Sequence, residues 1–222
     1  MLEINKHSFI KIQSLDSYQT IILCYCYIYA DENEDIFMKF KRYNYKKKND
    51  QEMFEHSQNF MQLMLNRRSI RDFSSKEVPD KVIENILKTA ISSPSGANKQ
   101  PWSFVVVKSK SLKKKIRIAA EQEEKKFYEK RATDEWLKDL NKFETNWEKP
   151  FLEKAHALII IFRQSYDNSG SKKRKNYYVN ESVGIASGFL LTAIQNAGLV
   201  CLTHTPSPMG FLEEIERQAH IV

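Results

Sequence analysis

Cysteine is too scarce in this chain to build a scaffold. Cys24, Cys26 and Cys201 are its three cysteines in 222 residues, with no C-x-x-C pair, so a disulfide-stapled fold is excluded and a reducing compartment is expected. The five histidines stand apart from one another, and no zinc-ligand spacing occurs, so no metal site is expected. Glycine is sparse as well. There is no G-x-G-x-x-G and no phosphate-loop lysine, which removes the Rossmann and Walker readings. Nor does any apolar run reach the roughly 20 residues of a membrane-spanning helix. The run Tyr18 to Ala30, YQTIILCYCYIYA, is too short, and Lys6 and Lys11 ahead of it are offset by Glu3 and Asp16, unlike a signal peptide. A soluble intracellular protein is therefore expected. The run at 18–30 reads as a β-prone arm, or as a short membrane anchor backed by the basic stretch Lys39 to Lys48.

What the chain has in plenty is charge. The net charge is +7, but Lys and Arg are interleaved with Asp and Glu along helical faces. Clusters occur only at Lys46-Lys47-Lys48, Lys113-Lys114-Lys115 and Lys172-Lys173-Arg174-Lys175. No aromatic RNA-binding signature accompanies them, so nucleic acid is not the expected partner.

Residues 1–51 read as an N-terminal extension, poorly ordered or weakly membrane-associated, ahead of one domain over 52–222. Met53, Phe54, Phe60, Met61, Met64 and Leu65 recur at helical spacing. A second helix opens at Pro79, with Asp80 and Glu84 in its early turns, and shows Val82, Ile83, Ile86, Leu87, Ala90 and Ile91 on one face. Ser92 to Asn98 is a loop. Trp102 to Lys108 and Ala157 to Arg163 have the β-branched and aromatic content of buried strands, and Leu199 to Thr203 reads as a third. Between the first two, Ser111 to about Trp147 is helical and highly charged, in two uneven stretches. Glu181 to Ala197 is an apolar helix whose Gly184, Ala186, Ser187 and Gly188 permit close helix contact, with Gly198 placed to cap it. Elements in this order give an α+β or α/β sandwich, a central sheet flanked by helices, and α+β is the class expected once the resemblance below is counted. No internal repeat is present.

Three groups of residues carry chemistry. Arg67, Arg68, Ser69 and Arg71 gather three guanidinium groups and a hydroxyl beside a helix end, which suits a phosphate and equally suits a solvated basic turn. Ser93-Pro94-Ser95-Gly96-Ala97 has the small residues that let backbone N–H groups approach a flat ligand, or that simply make a tight connection. Glu124 and Tyr128, four residues apart, share a helical face. A carboxylate there can take an ammonium, and the Lys149 ammonium can take a carboxylate, which together would receive a free amino acid; otherwise they are two of many surface charges.

Taken in order, Arg-Arg-Ser-Ile-Arg at 67–71 and Ser-Pro-Ser-Gly-Ala-Asn-Lys-Gln-Pro-Trp at 93–102 resemble the flavin-binding framework of the nitroreductase superfamily. The resemblance extends to its iodotyrosine deiodinase branch. It rests there on Glu124, Tyr128, Thr145-Asn146-Trp147, Lys149, Asn196 to Val200 and Thr203-His204-Thr205-Pro206. It implies FMN as cofactor, held by Arg67, Arg68, Ser69, Ile70, Arg71, Ser95, Gly96, Thr203, His204 and Thr205. It implies a halotyrosine substrate held by the Ala97 backbone N–H and by Glu124, Tyr128 and Lys149 on a lid at about 121–150. The Thr203 hydroxyl is implied as the catalytic donor to the flavin N5. A homodimer fed by a nicotinamide-linked donor such as NADPH, and reductive release of halide and tyrosine, complete what the resemblance implies. The alternatives are a general nitro or quinone reductase of the same fold, and a truncated flavin-binding protein without catalysis. Relative to the family the chain is C-terminally short: it ends in Phe211 to Val222, so one strand and one phosphate-binding Arg are expected to be missing unless Arg217 substitutes.

Overall fold

The structure is a computed structural model that describes residues 46–167 and 173–212. The run at 18–30, Lys172 and the segment with Arg217 lie outside the described residues.

Helix α1, Asp50–Leu65, opens with a reciprocal cap: the Asn49 side chain accepts from the Glu52 N–H, and Glu52 accepts from the Asn49 N–H, each at 2.9 Å. Met53, Phe54, Phe60, Met61 and Leu65 of α1 are exposed, so its apolar face has no full cover among the described residues. Helix α2, Asp80–Ile91, follows Pro79 and buries Ile83, Ile86 and Ala90, three of the six positions expected on its apolar face. Strand β1, Trp102–Val107, pairs antiparallel with β2, Leu158–Arg163, in a register that sets Phe104 opposite Ile161. Between them lie α3, Lys110–Lys126, a π-type turn Phe127–Arg131, α4, Asp134–Asn141, and the single turn α5, Phe151–Lys154. A small hairpin of β3, Tyr166–Asp167, and β4, Arg174–Lys175, precedes α6, Val179–Asn196.

Two apolar clusters hold these elements. In the larger, Ile86 and Ala90 of α2 meet Trp102 and Phe104 of β1 and Ala186, Leu190 and Ile194 of α6. In the smaller, Ala120 of α3 meets Phe151 and Leu152 of α5, with Phe73, Leu158, Leu202 and Phe211 packed around them. Gly198 ends α6 as expected. Its φ is +72°, its N–H donates to Gln195, and the Leu199 N–H reaches back to Ile194.

Three expectations need correction. Leu199 to Thr203 is not a paired strand: among the described residues it contributes one parallel bridge, Cys201 with Ser69, closed by the Ile70 N–H donating to the Cys201 carbonyl at 3.2 Å. The stretch is extended in composition, but no second strand runs beside it, and Leu202 is taken up by the smaller cluster instead. Gly184 and Gly188 serve no close contact among the described residues, because open space lies where a side chain would begin. Lys113 belongs to no solvated cluster; it is buried, and its ammonium donates to backbone carbonyls.

Candidate functional site

Residues 67–71 leave the end of α1 and run beside the segment after α6, joined to it at Cys201. Arg68 folds back on α1, donating to the Leu65 carbonyl at 2.5 Å, which satisfies part of the helix end, and to the Arg67 carbonyl at 2.8 Å. Among the described residues no carboxylate pairs with Arg67, Arg68 or Arg71. The Arg71 guanidinium stands 5.8 Å over the Phe143 ring, beyond the end of α4. A turn carrying three guanidinium groups without carboxylate partners fits an anion of the phosphate-ester kind.

The loop after α2 is shaped by its backbone. Ala97, Asn98 and Gln100 all adopt positive φ, at 49°, 52° and 44°, a concentration that marks stored strain. Ser95 accepts from the Gln100 N–H at 2.8 Å, and the Gly96 N–H donates to Ser182, a buried hydroxyl of α6, at 3.3 Å. Gly96 must be glycine: a Cβ there would lie 2.8 Å from Tyr178 at the start of α6. The Ala97 N–H makes no hydrogen bond among the described residues and stays available as a donor.

Glu124, Tyr128 and Lys149 come together as a group. Lys149 is 4% exposed, although it precedes the short α5 and belongs to no regular element. Its ammonium lies 3.3 Å from Glu124 Oε2, donates to the Asn146 carbonyl, and sits 5.5 Å from the centre of the Tyr128 ring. The other Glu124 oxygen, Oε1, is 3.1 Å from His204 Nε2, and the His204 ring meets Phe151 edge to face at 5.4 Å. Burial pushes the Glu124 carboxyl up, but the His204 hydrogen bond and the Lys149 charge outweigh it and hold it below its ordinary value. Burial raises the Tyr128 hydroxyl, against a hydrogen bond with Thr145 that lowers it.

His204 lies against the Glu124 carboxylate, while its neighbours Thr203 and Thr205 are exposed. Sequence spacing could not show this, since residues 124 and 204 are joined only by the fold. Ser182 was missed too, because nothing in the sequence sets it apart from the other polar residues of α6. Missed as well were Arg117 and Glu121, which spacing does mark, four residues apart on α3.

The described residues thus bring together a guanidinium turn without carboxylate partners, a small-residue loop with three positive φ values and a buried Glu124–Lys149 pair on an α+β frame. The Nitroreductase family model matches residues 64–209, and the chain belongs to that family. Within it, the chain is similar to a protein named iodotyrosine deiodinase from Haliscomenobacter hydrossis, 57% identical over 166 residues, or 74% of this chain and 75% of that protein. A protein of the same name from Hydra vulgaris is 46% identical over 180 residues, 80% of this chain and 66% of that protein, so the chain spans just under two thirds of it. A crystal structure of oxidized iodotyrosine deiodinase bound to FMN and 3-iodo-L-tyrosine matches at a TM-score of 0.64 and 32% identity, over 71% of this chain and 80% of that one.

Proposed function

We propose that this chain is an FMN-dependent oxidoreductase that removes halide reductively from halotyrosines. It works as a homodimer with the cofactor at the subunit interface, and its electrons come from a nicotinamide-linked donor. The domain is taken as 52–222 with a lid at about 121–150, and the protein as soluble and intracellular.

The observation that carries this reading is the buried pairing of Glu124 with Lys149. Two opposite charges held out of water on a lid are costly unless something uses them. A free amino acid brings both complements. Its ammonium takes the place of Lys149 at Glu124, and its carboxylate takes Lys149, so one internal ion pair is exchanged for two with the ligand. Tyr128 adds a ring face and a hydroxyl. A carboxylate has enough acceptor sites to keep His204 while it receives the ammonium.

Arg67 and Arg71 suit the FMN phosphate, with Arg68, Ser69 and Ile70 completing the turn, and Ser95 and Gly96 suit the flavin edge. When bound, FMN supplies the electrons; overall, two electrons and one proton replace the carbon–halogen bond by carbon–hydrogen, and halide leaves. The free Ala97 N–H is placed to donate to the substrate's phenolic oxygen, which favours the phenolate over the phenol. The Thr203 hydroxyl would hold a proton toward the flavin N5, with His204 and Thr205 shaping that segment. Closure of the lid excludes water from these contacts.

The test is a flavin-fluorescence titration with iodotyrosine for wild type, Glu124→Gln and Lys149→Gln, with halide release measured in parallel. Each variant should bind iodotyrosine about 1.5–3 kcal/mol more weakly, the loss of one charge-assisted hydrogen bond. If wild type binds iodotyrosine no better than a nitroaromatic without the amino-acid head, the chain is a general nitro or quinone reductase instead.

A further inference from the structure

Lys149 is buried at the mouth of α5, a helix of one turn, so something outside α5 must fix it. One stripe of α3 does so. Lys113, Arg117, Glu121 and Glu124 follow one another at intervals of four, four and three residues, the spacing of a single helical face. Each reaches the segment 149–156. The Lys113 ammonium donates to the carbonyls of Glu153 at 3.0 Å and Ala155 at 2.6 Å. Arg117 Nη1 donates to Glu153 Oε1 at 3.3 Å. Glu121 Oε1 accepts two bonds of 2.7 Å, one from Arg117 Nε and one from the backbone N–H of Lys149. One turn further on, Glu124 faces the Lys149 ammonium.

The backbone of Lys149 is thus tied to α3 at the residue one turn before the carboxylate that its own side chain meets. Arg117 keeps that tie in place. It holds the Glu121 carboxylate and, through Glu153, the far end of the same segment.

We propose that Glu121 is a positioning residue that sets the distance between Glu124 and Lys149, and through it the preference for substrates with an amino-acid head. The assignment rests on the functional reading above, because the clamp it serves is that of a zwitterion. Glu121 touches neither substrate nor cofactor. Its carboxylate oxygen is needed as an acceptor rather than as a charge, so glutamine in its place should keep the function, whereas alanine or methionine should not.

The experiment compares Glu121→Ala, the near-isosteric Glu121→Met and Glu121→Gln with wild type, all as flavin-loaded protein. The first measurement is kcat and KM for iodotyrosine and for an iodinated cresol that lacks the head. The second is hydrogen–deuterium exchange of the peptide containing Lys149. For the alanine and methionine variants, KM for iodotyrosine should rise about tenfold, the size of one lost hydrogen bond to a charged group. The iodotyrosine-to-cresol ratio of kcat/KM should fall by the same factor, and the Lys149 amide should exchange faster. Glu121→Gln should stay within about threefold of wild type in both measurements. Equal losses on both substrates, an unchanged ratio, or a glutamine variant as impaired as alanine would overturn the proposal, as would a Lys149 amide that stays protected without Glu121. A wild type with no preference for iodotyrosine over the cresol defeats the functional reading and the specificity claim with it. The exchange measurement still reports separately whether Glu121 braces Lys149.

Discussion

Glu124 has one carboxylate shared between two partners, the His204 ring at 3.1 Å and the Lys149 ammonium at 3.3 Å. The sharing has a consequence for pH. The folded carboxyl titrates below its ordinary 4.5, because the His204 bond and the Lys149 charge prevail over burial. A depressed carboxylate contributes stability that is fully present above the unfolded value and is lost as pH falls through the lower folded one. Glu124→Gln should therefore be less stable than wild type near neutrality by about 1.5–3 kcal/mol, since it removes a charged hydrogen-bond partner from a buried ammonium. The deficit should shrink as pH falls below 4.5, once wild type also loses the charge. Thermal melts of both proteins across that range check it, and a deficit that does not change with pH would refute the shared-carboxylate account.

At the scale of elements, the legible parts were those with strong internal periodicity or composition. Ile83, Ile86 and Ala90 of α2 announce a buried face through their spacing, and the apolar runs of β1 and β2 announce strands. The register that sets Phe104 opposite Ile161 was not legible, because both runs are apolar along their whole length and either face would satisfy burial. Leu199 to Thr203 looked like a third strand because composition reports extended backbone and says nothing about a neighbour; Ser69 supplies one bridge and no more. The clamp was legible in Glu124 and Tyr128 through their i, i+4 spacing, and in Lys149 through resemblance alone. His204 was hidden because it acts across 80 residues of sequence, and the spacing that pairs Glu121 with Arg117 gave no sign of its bond to the Lys149 backbone N–H.

The segment at about 121–150, which we propose as a lid, has a loosely covered middle. Its π-type turn Phe127–Arg131 and helix α4 bury no residue fully, and Lys125, Lys126, Lys130 and Arg131 are exposed. Segments with little buried apolar surface open locally at small cost. A zwitterion that binds only the closed arrangement adds its binding energy to closure. Trypsin cleavage after Lys125 to Arg131 should slow when iodotyrosine is added to wild type, and not when it is added to Lys149→Gln. Equal cleavage with and without iodotyrosine in wild type would mean that the lid does not close on the substrate.

For the whole molecule, part of the apolar surface exposed among the described residues lies on two helices. Met53, Phe54, Phe60, Met61 and Leu65 lie along α1, and Ile185 and Phe189 lie on α6. The Gln195 side chain, on α6, donates to the Leu63 carbonyl of α1 at 3.3 Å, so the two helices are neighbours. Beside Ile185 and Phe189 stand Gly184 and Gly188, with open space where side chains would begin. Small residues there allow another backbone to come close, which explains why they serve no close contact among the described residues. Apolar surface exposed on neighbouring helices suits an interface, and the expected cover is a second copy of the chain. In a two-fold interface each substitution is counted twice. Burying one Phe side chain is worth about 1.5–3 kcal/mol, so Phe189→Asp should weaken dimerisation by at least about 3 kcal/mol, more than a hundredfold in Kd. Sedimentation velocity across a concentration series should show a wild-type dimer and a variant shifted to monomer. With the flavin proposed at the subunit interface, the monomeric variant should also lose FMN on gel filtration while keeping its helical circular dichroism. A wild type that stays monomeric at micromolar concentration, or a monomeric variant that retains its flavin, would remove the interface from the functional account.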